Sequence, residues 1–403
     1  MKVALVFPGS GSQYIGMGKR LIEKYEIAEE IFNTANRVLD FDLKKLCLEG
    51  RLSKLSQNKY LQPAILTISY IMYKVYIEKN NLQVVISLGH SLGEYTALVC
   101  SGVIEFEEAL KIVHLRGVDI DNTEGAMTIV NGESLSYVKN LCKKFNGKGK
   151  QLYVSCCNSP QQYILSGHED SIYEAENIMA SEGVDFTVMY DSVPVHCPLM
   201  AKVAENLEVE IEKYTFNNSL YPIITNCTGD VCFEGKKFKD NLKKQLINPV
   251  LWSDSVKKME EYSVDYCIEV GPKTVLRDLI KSQSNSMKVI ALDDKSDLVE
   301  FQQEVASSKK NRSEEILVSC LRVAVSVKNL NRDISKKDYE EKVIKPYTWM
   351  KELRLTSENN NTEISKDNIE KALGYLRKIL EIKKQPEEFI ERKLKEVRGK
   401  SDE

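Results

Sequence analysis

The sequence predicts an α/β protein in three parts: a large subdomain built on a parallel sheet, a small inserted α+β subdomain of ferredoxin-like type, and a helical C-terminal extension. Three observations carry this. The run QVVISL at 83–88 enters Gly89-His90-Ser91-Leu92-Gly93 and leaves into the apolar EYTALVCSGV; strand, sharp turn, helix is the repeating unit of a parallel sheet. Between about residues 125 and 190, short strand-like runs and two helical stretches follow a β-α-β-β-α-β rhythm. All but two of the 20 glycines lie at or before Gly271, and the later residues carry helical periodicity.

In chain order, KVALVF (2–7) is a short apolar run stopped by Pro8-Gly9, a buried strand entering a tight loop. Residues 17–47 place Leu21, Ile22, Tyr25, Ile27, Ile31 and Phe32 at helical spacing among charges. LQPAILTISYIMYKVYIE (61–78) reads as one long buried helix opening after Gln62-Pro63. In the inserted part, AMTIVNG, YVSCCNS and YILSG are strands, with helices near 133–145 and 169–182. TVMYDSVPVH follows, then a helix at 198–213, the strand PIITN (222–226), a helix at 237–247 and the strand and loop DYCIEVG (265–271). Beyond that point no strand pattern is evident. Residues 314–328 and 337–353 have helical periodicity, SENNNTEI (357–364) reads as a polar linker, and 366–383 and 387–397 are amphipathic. Trp349, Leu373, Leu376, Ile379 and Leu380, with Tyr375 beside them, supply apolar faces.

The 403 residues leave room for two or three structural units. Hydrophobic residues at 42% against 29% charged exclude disorder over most of the length. With 56 basic and 59 acidic residues, the net charge of −3 gives no case for nucleic acid or an anionic membrane as partner. No run approaches the roughly 20 apolar residues of a membrane span. The opening MKVALVFPGS lacks the apolar core and cleavage site of a signal peptide. The ten cysteines include no C-x-x-C pair and read as free thiols rather than zinc ligands. The expectation is a cytoplasmic protein, acting as a monomer, with no metal and no tightly bound cofactor.

Gly89-His90-Ser91-Leu92-Gly93 matches G-x-S-x-G, the nucleophile elbow of hydrolase-like parallel-sheet folds. A serine on a strained strand-to-helix turn needs small neighbours two positions away on each side. The turn lifts its hydroxyl clear of the sheet and sets the next N–H at a helix N-terminus, where negative charge is stabilised. Such a serine needs a base, and four histidines are available. His90 adjoins Ser91 and its side chain should diverge, His114 lies in a helical stretch, and His168 sits in a surface turn. His196, in the rigid loop Val193-Pro194-Val195-His196-Cys197-Pro198 at a strand end, is the best candidate.

Nine segments then occur in a family's order: FPGSGSQYIGMGK, LQPAI, GHSLGEYTALVCSGV, LRG (115–117), EGAMTIVNG, NSPQQYILSG, VPVHCPLM, NPVLW and EVGPKTVL. Over residues 3 to about 285 the chain resembles malonyl-CoA:acyl carrier protein transacylases and the acyltransferase domains of polyketide synthases. The long helical tail further resembles stand-alone acyltransferases that serve polyketide or hybrid peptide–polyketide synthases in trans. The motifs therefore set the expected boundaries: 1–124 with 193–285 for the large subdomain, 125–192 for the small one, and 286–403 for linker and extension.

The resemblance implies a role for each matched residue. Ser91 takes the acyl group from malonyl-CoA as an ester, and His196 activates it and later the thiol of an acyl carrier protein or a synthase's carrier domain. A backbone carbonyl at Gln245 orients the histidine, with no acidic third member. Leu92 and the first loop, at Ser10, supply the oxyanion-hole N–H groups. Arg116 pairs with the free carboxylate of the malonyl group, for which a fork of N–H donors is suited. Gln62, His90, Asn158 and Val195 complete the pocket. Two departures stand out: Ser10 replaces the first glutamine of the family's F-P-G-Q-G-S-Q, and Val195 replaces the usual Ser or Phe before the histidine. A glutamine side chain that held the acyl group or excluded water would leave the acyl-enzyme open to hydrolysis when lost. Leu92 leans towards malonyl over a branched extender. The leading expectation is a ping-pong malonyltransferase; the alternatives are a proofreading acyl hydrolase of the same fold and a docking module that binds a synthase through its tail.

Overall fold

Strand β1 (Lys2–Phe7) is buried from Val3 to Phe7, as an apolar run covered on both faces must be. It sits inside a six-stranded sheet and pairs in parallel with β2 (Gln83–Gly89) on one side and β9 (Tyr266–Glu269) on the other. Beyond β2 lies β7 (Ile223–Ile224), also parallel, and then β8 (Val231–Cys232), antiparallel to β7. The opposite edge is β10 (Val289–Ala291), parallel to β9 and wholly buried. The expected boundary at 285 therefore falls short: residues given to the extension supply a strand of the large sheet. Val289-Ile290-Ala291 is too short a run to display a strand period. The computed structural model describes residues 1–145 and 151–399. The chain forms two units, Met1–Val299 and Glu300–Glu403.

The helical stretch at 17–47 divides into α1 (Lys19–Lys24), α2 (Glu26–Leu39) and α3 (Leu43–Glu49), because Tyr25 is extended and Asp40 left-handed at φ 57°. After the short α4 (Leu52–Leu55), α5 (Asn58–Met72) opens earlier than expected, so Pro63 lies inside it. Proline has no N–H to give the carbonyl four residues back. That carbonyl, on Lys59, instead accepts from His114 Nδ1 at 2.9 Å. His114 belongs to α7 (Phe106–Asp121), which follows α6 (Leu92–Cys100) and packs beside α5.

The inserted subdomain is a four-stranded antiparallel sheet in the order β4-β5-β3-β6: β3 (Ala126–Asn131), β4 (Leu152–Ser159), β5 (Gln162–Gly167) and β6 (Asp185–Met189). With α8 (Leu135–Phe145) and α9 (Glu169–Glu182) this is the ferredoxin-like arrangement, closed on its own core of Val138, Leu141, Leu165 and Met179. The chain then returns to the large subdomain through α10 (Ala201–Ile211), α11 (Gly235–Gln245), α12 (Trp252–Glu260) and α13 (Val275–Lys281). A backbone pair at 2.9 Å, Cys157 N–H to Val250 O and Val250 N–H to Ser155 O, ties the NPVLW loop to β4.

The second unit is helical. It contains most of α14 (Lys295–Ser326), then α15 (Lys336–Tyr339), α16 (Lys345–Asn360), α17 (Lys366–Ile382) and α18 (Glu387–Arg398) around Leu317, Cys320, Met350, Leu376 and Leu380. The first half of the expected linker at 357–364 is helix: α16 runs on to Asn360 before Asn361 turns left-handed at φ 54°. The pair Arg354–Glu358, one helical turn apart with Nε to Oε1 at 2.8 Å, supports that last stretch. Ile364, read as linker, is buried in the unit's core. Lys383 is buried with its ammonium 2.7 Å from both Ala324 O and Val327 O, where it caps the end of α14.

Candidate active site

The elbow forms as the glycine spacing requires. A Cβ on Gly89 would sit 1.9 Å from the carbonyl carbon of Gly93, and one on Gly93 would sit 1.9 Å from Phe7 O. Ser91 between them has φ 52°, a conformation that costs a non-glycine residue about 1–3 kcal/mol and persists only where its surroundings impose it. Asn226, just past β7, imposes it. Its Oδ1 accepts from Ser91 N–H at 2.7 Å and its Nδ2 donates to Gly89 O at 2.6 Å.

His196 is 1% exposed and also left-handed, at φ 61°. Its Nδ1 lies 2.8 Å from Gln245 O and its Nε2 lies 2.7 Å from Ser91 Oγ. A carbonyl only accepts, so Nδ1 carries the proton and Nε2 is free to take the serine's. Burial first, and the nearby Arg116 charge second, push its pKa down to about 3, so the ring is a neutral acceptor. Ser166 Oγ donates to Val195 O at 2.9 Å and steadies the loop.

Arg116 projects from α7 into the same place and is 2% exposed. One terminal nitrogen lies 3.1 Å from Ser91 Oγ and 3.4 Å from Gln245 Oε1, and the other lies 2.8 Å from Gln62 Oε1. Ser91 Oγ thus accepts from a cation while donating to the imidazole, which favours its alkoxide. Arg116 Nε is buried without a hydrogen-bond partner among the described residues.

Ser91, His196, Arg116, Gln245 and Gln62 therefore form one connected cluster. His90 does not join it. Its Nε2 donates to Asn158 Oδ1 at 2.9 Å, and its ring, 5.4 Å from that of Trp252, has its basicity lowered by burial. Asn158 is further held by Gln162 and Gln283, and Val195 packs into the core below the sheet. His168 is exposed at the start of α9.

Ser10 lies in the first loop, between β1 and α1. Its side chain is exposed and has no partner among the described residues. Gln13 Oε1 accepts from Gly11 N–H at 2.9 Å, and Lys273 Nζ donates to Gly11 O at 2.9 Å. Tyr14 OH and Lys273 N–H both reach Asp293 at 2.8 Å. Among the described residues neither Ser10 N–H nor Leu92 N–H has an acceptor within the protein, as an oxyanion hole requires.

Two residues of the site went unnoticed in the sequence, Asn226 and Glu94. Glu94 is the one charged residue of α6, three positions after Ser91, and is 1% exposed. Burial pushes its pKa up to about 7 against the hydrogen bonds from Gln245 and Asn226 and the Arg116 charge. A lone acid in an otherwise apolar helix was the available signal.

Comparisons with known proteins place the chain in a family. The acyl transferase domain family matches residues 4–332. A malonyl CoA-acyl carrier protein transacylase of Escherichia coli K12 is 35% identical over 298 residues, covering 73% of this chain and 96% of its own. A Bacillus subtilis protein of the same description is 29% identical over 394 residues, 95% of this chain and 97% of its own, so it spans the second unit too. A solved complex of a type II PKS acyl-carrier protein with its malonyl-transacylase matches with TM-score 0.72 and 32% identity, covering 75% of this chain and 100% of that one. The chain belongs to the acyl transferase domain family, together with the malonyl CoA-acyl carrier protein transacylases.

Proposed function

We propose that the enzyme moves a malonyl group from malonyl-CoA to the phosphopantetheine thiol of an acyl carrier protein through an ester on Ser91. The observation that carries this is the position of Ser91 Oγ, 2.7 Å from His196 Nε2 and 3.1 Å from Arg116. His196 takes the hydroxyl proton as Oγ attacks the thioester carbonyl, and the oxyanion meets the N–H groups of Leu92 and Ser10. Each such donor contributes about 10²–10³ in rate. The tetrahedral intermediate collapses, CoA leaves as its thiol with the proton from His196, and the malonyl carboxylate pairs with Arg116. The carrier's thiol then gives its proton to His196 and attacks the ester, which frees Ser91.

The second unit supports a specialised role, loading carriers of a polyketide or hybrid synthase in trans: the E. coli relative covers only 73% of this chain, while the B. subtilis relative extends through it. A proofreading acyl hydrolase is the second reading, and the exposed Ser10 is the observation that favours it. Labelled malonyl-CoA is the test. A covalent adduct on the parent, absent from Ser91→Ala and discharged faster by holo carrier protein than by water, is expected. No adduct, or one unaffected by Ser91→Ala, refutes the function; faster discharge by water selects the hydrolase.

A further inference from the structure

We propose that Glu94 is a positioning residue for acylation: its buried carboxylate fixes the orientation of Gln245 and Asn226, and through them His196, Arg116 and the elbow itself. The inference rests on the Ser91 acyl-enzyme reading above. A carboxylate taken out of water is costly, and α6 is otherwise apolar, so an apolar side chain at this point would make the better helix core. What Glu94 offers instead is a set of acceptors. Its Oε2 takes Gln245 Nε2 at 2.7 Å and Asn226 N–H at 3.3 Å.

The Gln245 amide shows why this matters. Both of its N–H groups face acceptors, Glu94 Oε2 and Ser91 O at 3.0 Å, which leaves Oε1 directed at Arg116. Flipping the amide would set its oxygen against two other oxygens and its N–H groups against a guanidinium. Glu94 and Ser91 O thus decide which way the amide faces, and the same residue's backbone carbonyl holds His196 Nδ1. Asn226 is the second arm: its backbone N–H meets Glu94 while its side chain straddles Gly89 and Ser91. One side chain therefore links the elbow, the end of β7 and the end of α11. A shift of about 1 Å at such a centre costs roughly 100-fold in rate.

Glu94→Gln is the test, since its own amide can turn an N–H towards Gln245 and release the orientation. In single-turnover acylation with labelled malonyl-CoA, the expected result is a rate lowered about 10- to 100-fold, with KM and melting temperature near those of the parent. Gln245→Leu added to Glu94→Gln is expected to lower the rate little further, because both changes break one linkage. A Glu94→Gln rate within threefold of the parent overturns the proposal, as does full additivity with Gln245→Leu. Should Glu94→Gln fail to fold, Glu94→Asp decides: it keeps the charge and withdraws the oxygens, so slower acylation at unchanged KM supports the proposal and a parental rate overturns it. Absence of acylation in the parent would instead refute the function.

Discussion

Removing Arg116 should change which acyl group the enzyme prefers. In the structure its guanidinium is buried and touches Ser91 Oγ, Gln62 and Gln245. A malonyl carboxylate entering beside an alanine would be buried without its cation, which costs about 3–5 kcal/mol. At about 1.4 kcal/mol per factor of ten, kcat/KM for malonyl-CoA falls by about 10² to 4 × 10³ in Arg116→Ala. Acetyl-CoA has no carboxylate to strand. It loses only the contact to Ser91 Oγ, about tenfold or less. The malonyl-to-acetyl preference therefore drops by at least about an order of magnitude. Single-turnover acylation with each labelled thioester, with melting temperatures in parallel, measures this directly. A second effect has a definite sign: the Arg116 charge lowers the His196 pKa, so its loss raises that pKa and moves the acid limb of acylation to higher pH. Equal losses for both thioesters would refute the carboxylate pairing.

His196, with its pKa near 3, should remain neutral at pH 5 in the free enzyme, and NMR of labelled histidine showing protonation near the usual 6.5 would contradict the site electrostatics. Glu269 is buried beneath the N-terminus of α13, where it accepts from Leu276 and Arg277 N–H, and burial pushes its pKa from 4.5 up to about 8. Because the folded value lies above the unfolded one, its contribution to stability is full below about pH 4.5 and is lost as pH rises through 8. Denaturant titrations of the parent and Glu269→Gln should thus show a difference that moves in the variant's favour from pH 5 to pH 8; a constant difference would exclude this. Asp293→Ala frees Tyr14 OH and the Lys273 N–H together, while Arg20 keeps its bond to the residue's backbone carbonyl, and so loosens the loop that carries Ser10 N–H. Acylation should slow for malonyl and acetyl alike, since the oxyanion hole serves any carbonyl, and a loss confined to malonyl would argue against that role.

Much of the site could be read from residue order. Ser91 is announced by glycines whose places a Cβ would overfill, and His196 by a rigid Pro-x-His-x-Pro loop. Arg116 and Gln245 carry no local signal, so the resemblance placed them, and the structure brings both within hydrogen-bonding reach of Ser91. Glu94 escaped because a charge in a helix ordinarily marks the solvent face, and only the packing of α6 under β1, β2 and α5 shows this one enclosed. At Ser10 the departure drew notice to a side chain, yet the loop is held by Gln13, Lys273 and Asp293, none of which depends on the lost glutamine. Strand β10 escaped because its three residues pair only at the sheet edge.

Pro63 bears on how enzymes of this kind are stiffened by design. Exchanging a mid-helix proline for alanine is a standard stabilising change, because it restores an N–H to the ladder. Here the restored N–H would reach for Lys59 O, which His114 already uses, and His114 stands two residues before Arg116 on α7. The gap in one helix is the peg on which its neighbour's register hangs. A variant chosen for a higher melting temperature at this position would make Lys59 O share its two lone pairs between the new N–H and His114, so the aim of Arg116, two residues along α7, is the property to measure beside heat resistance.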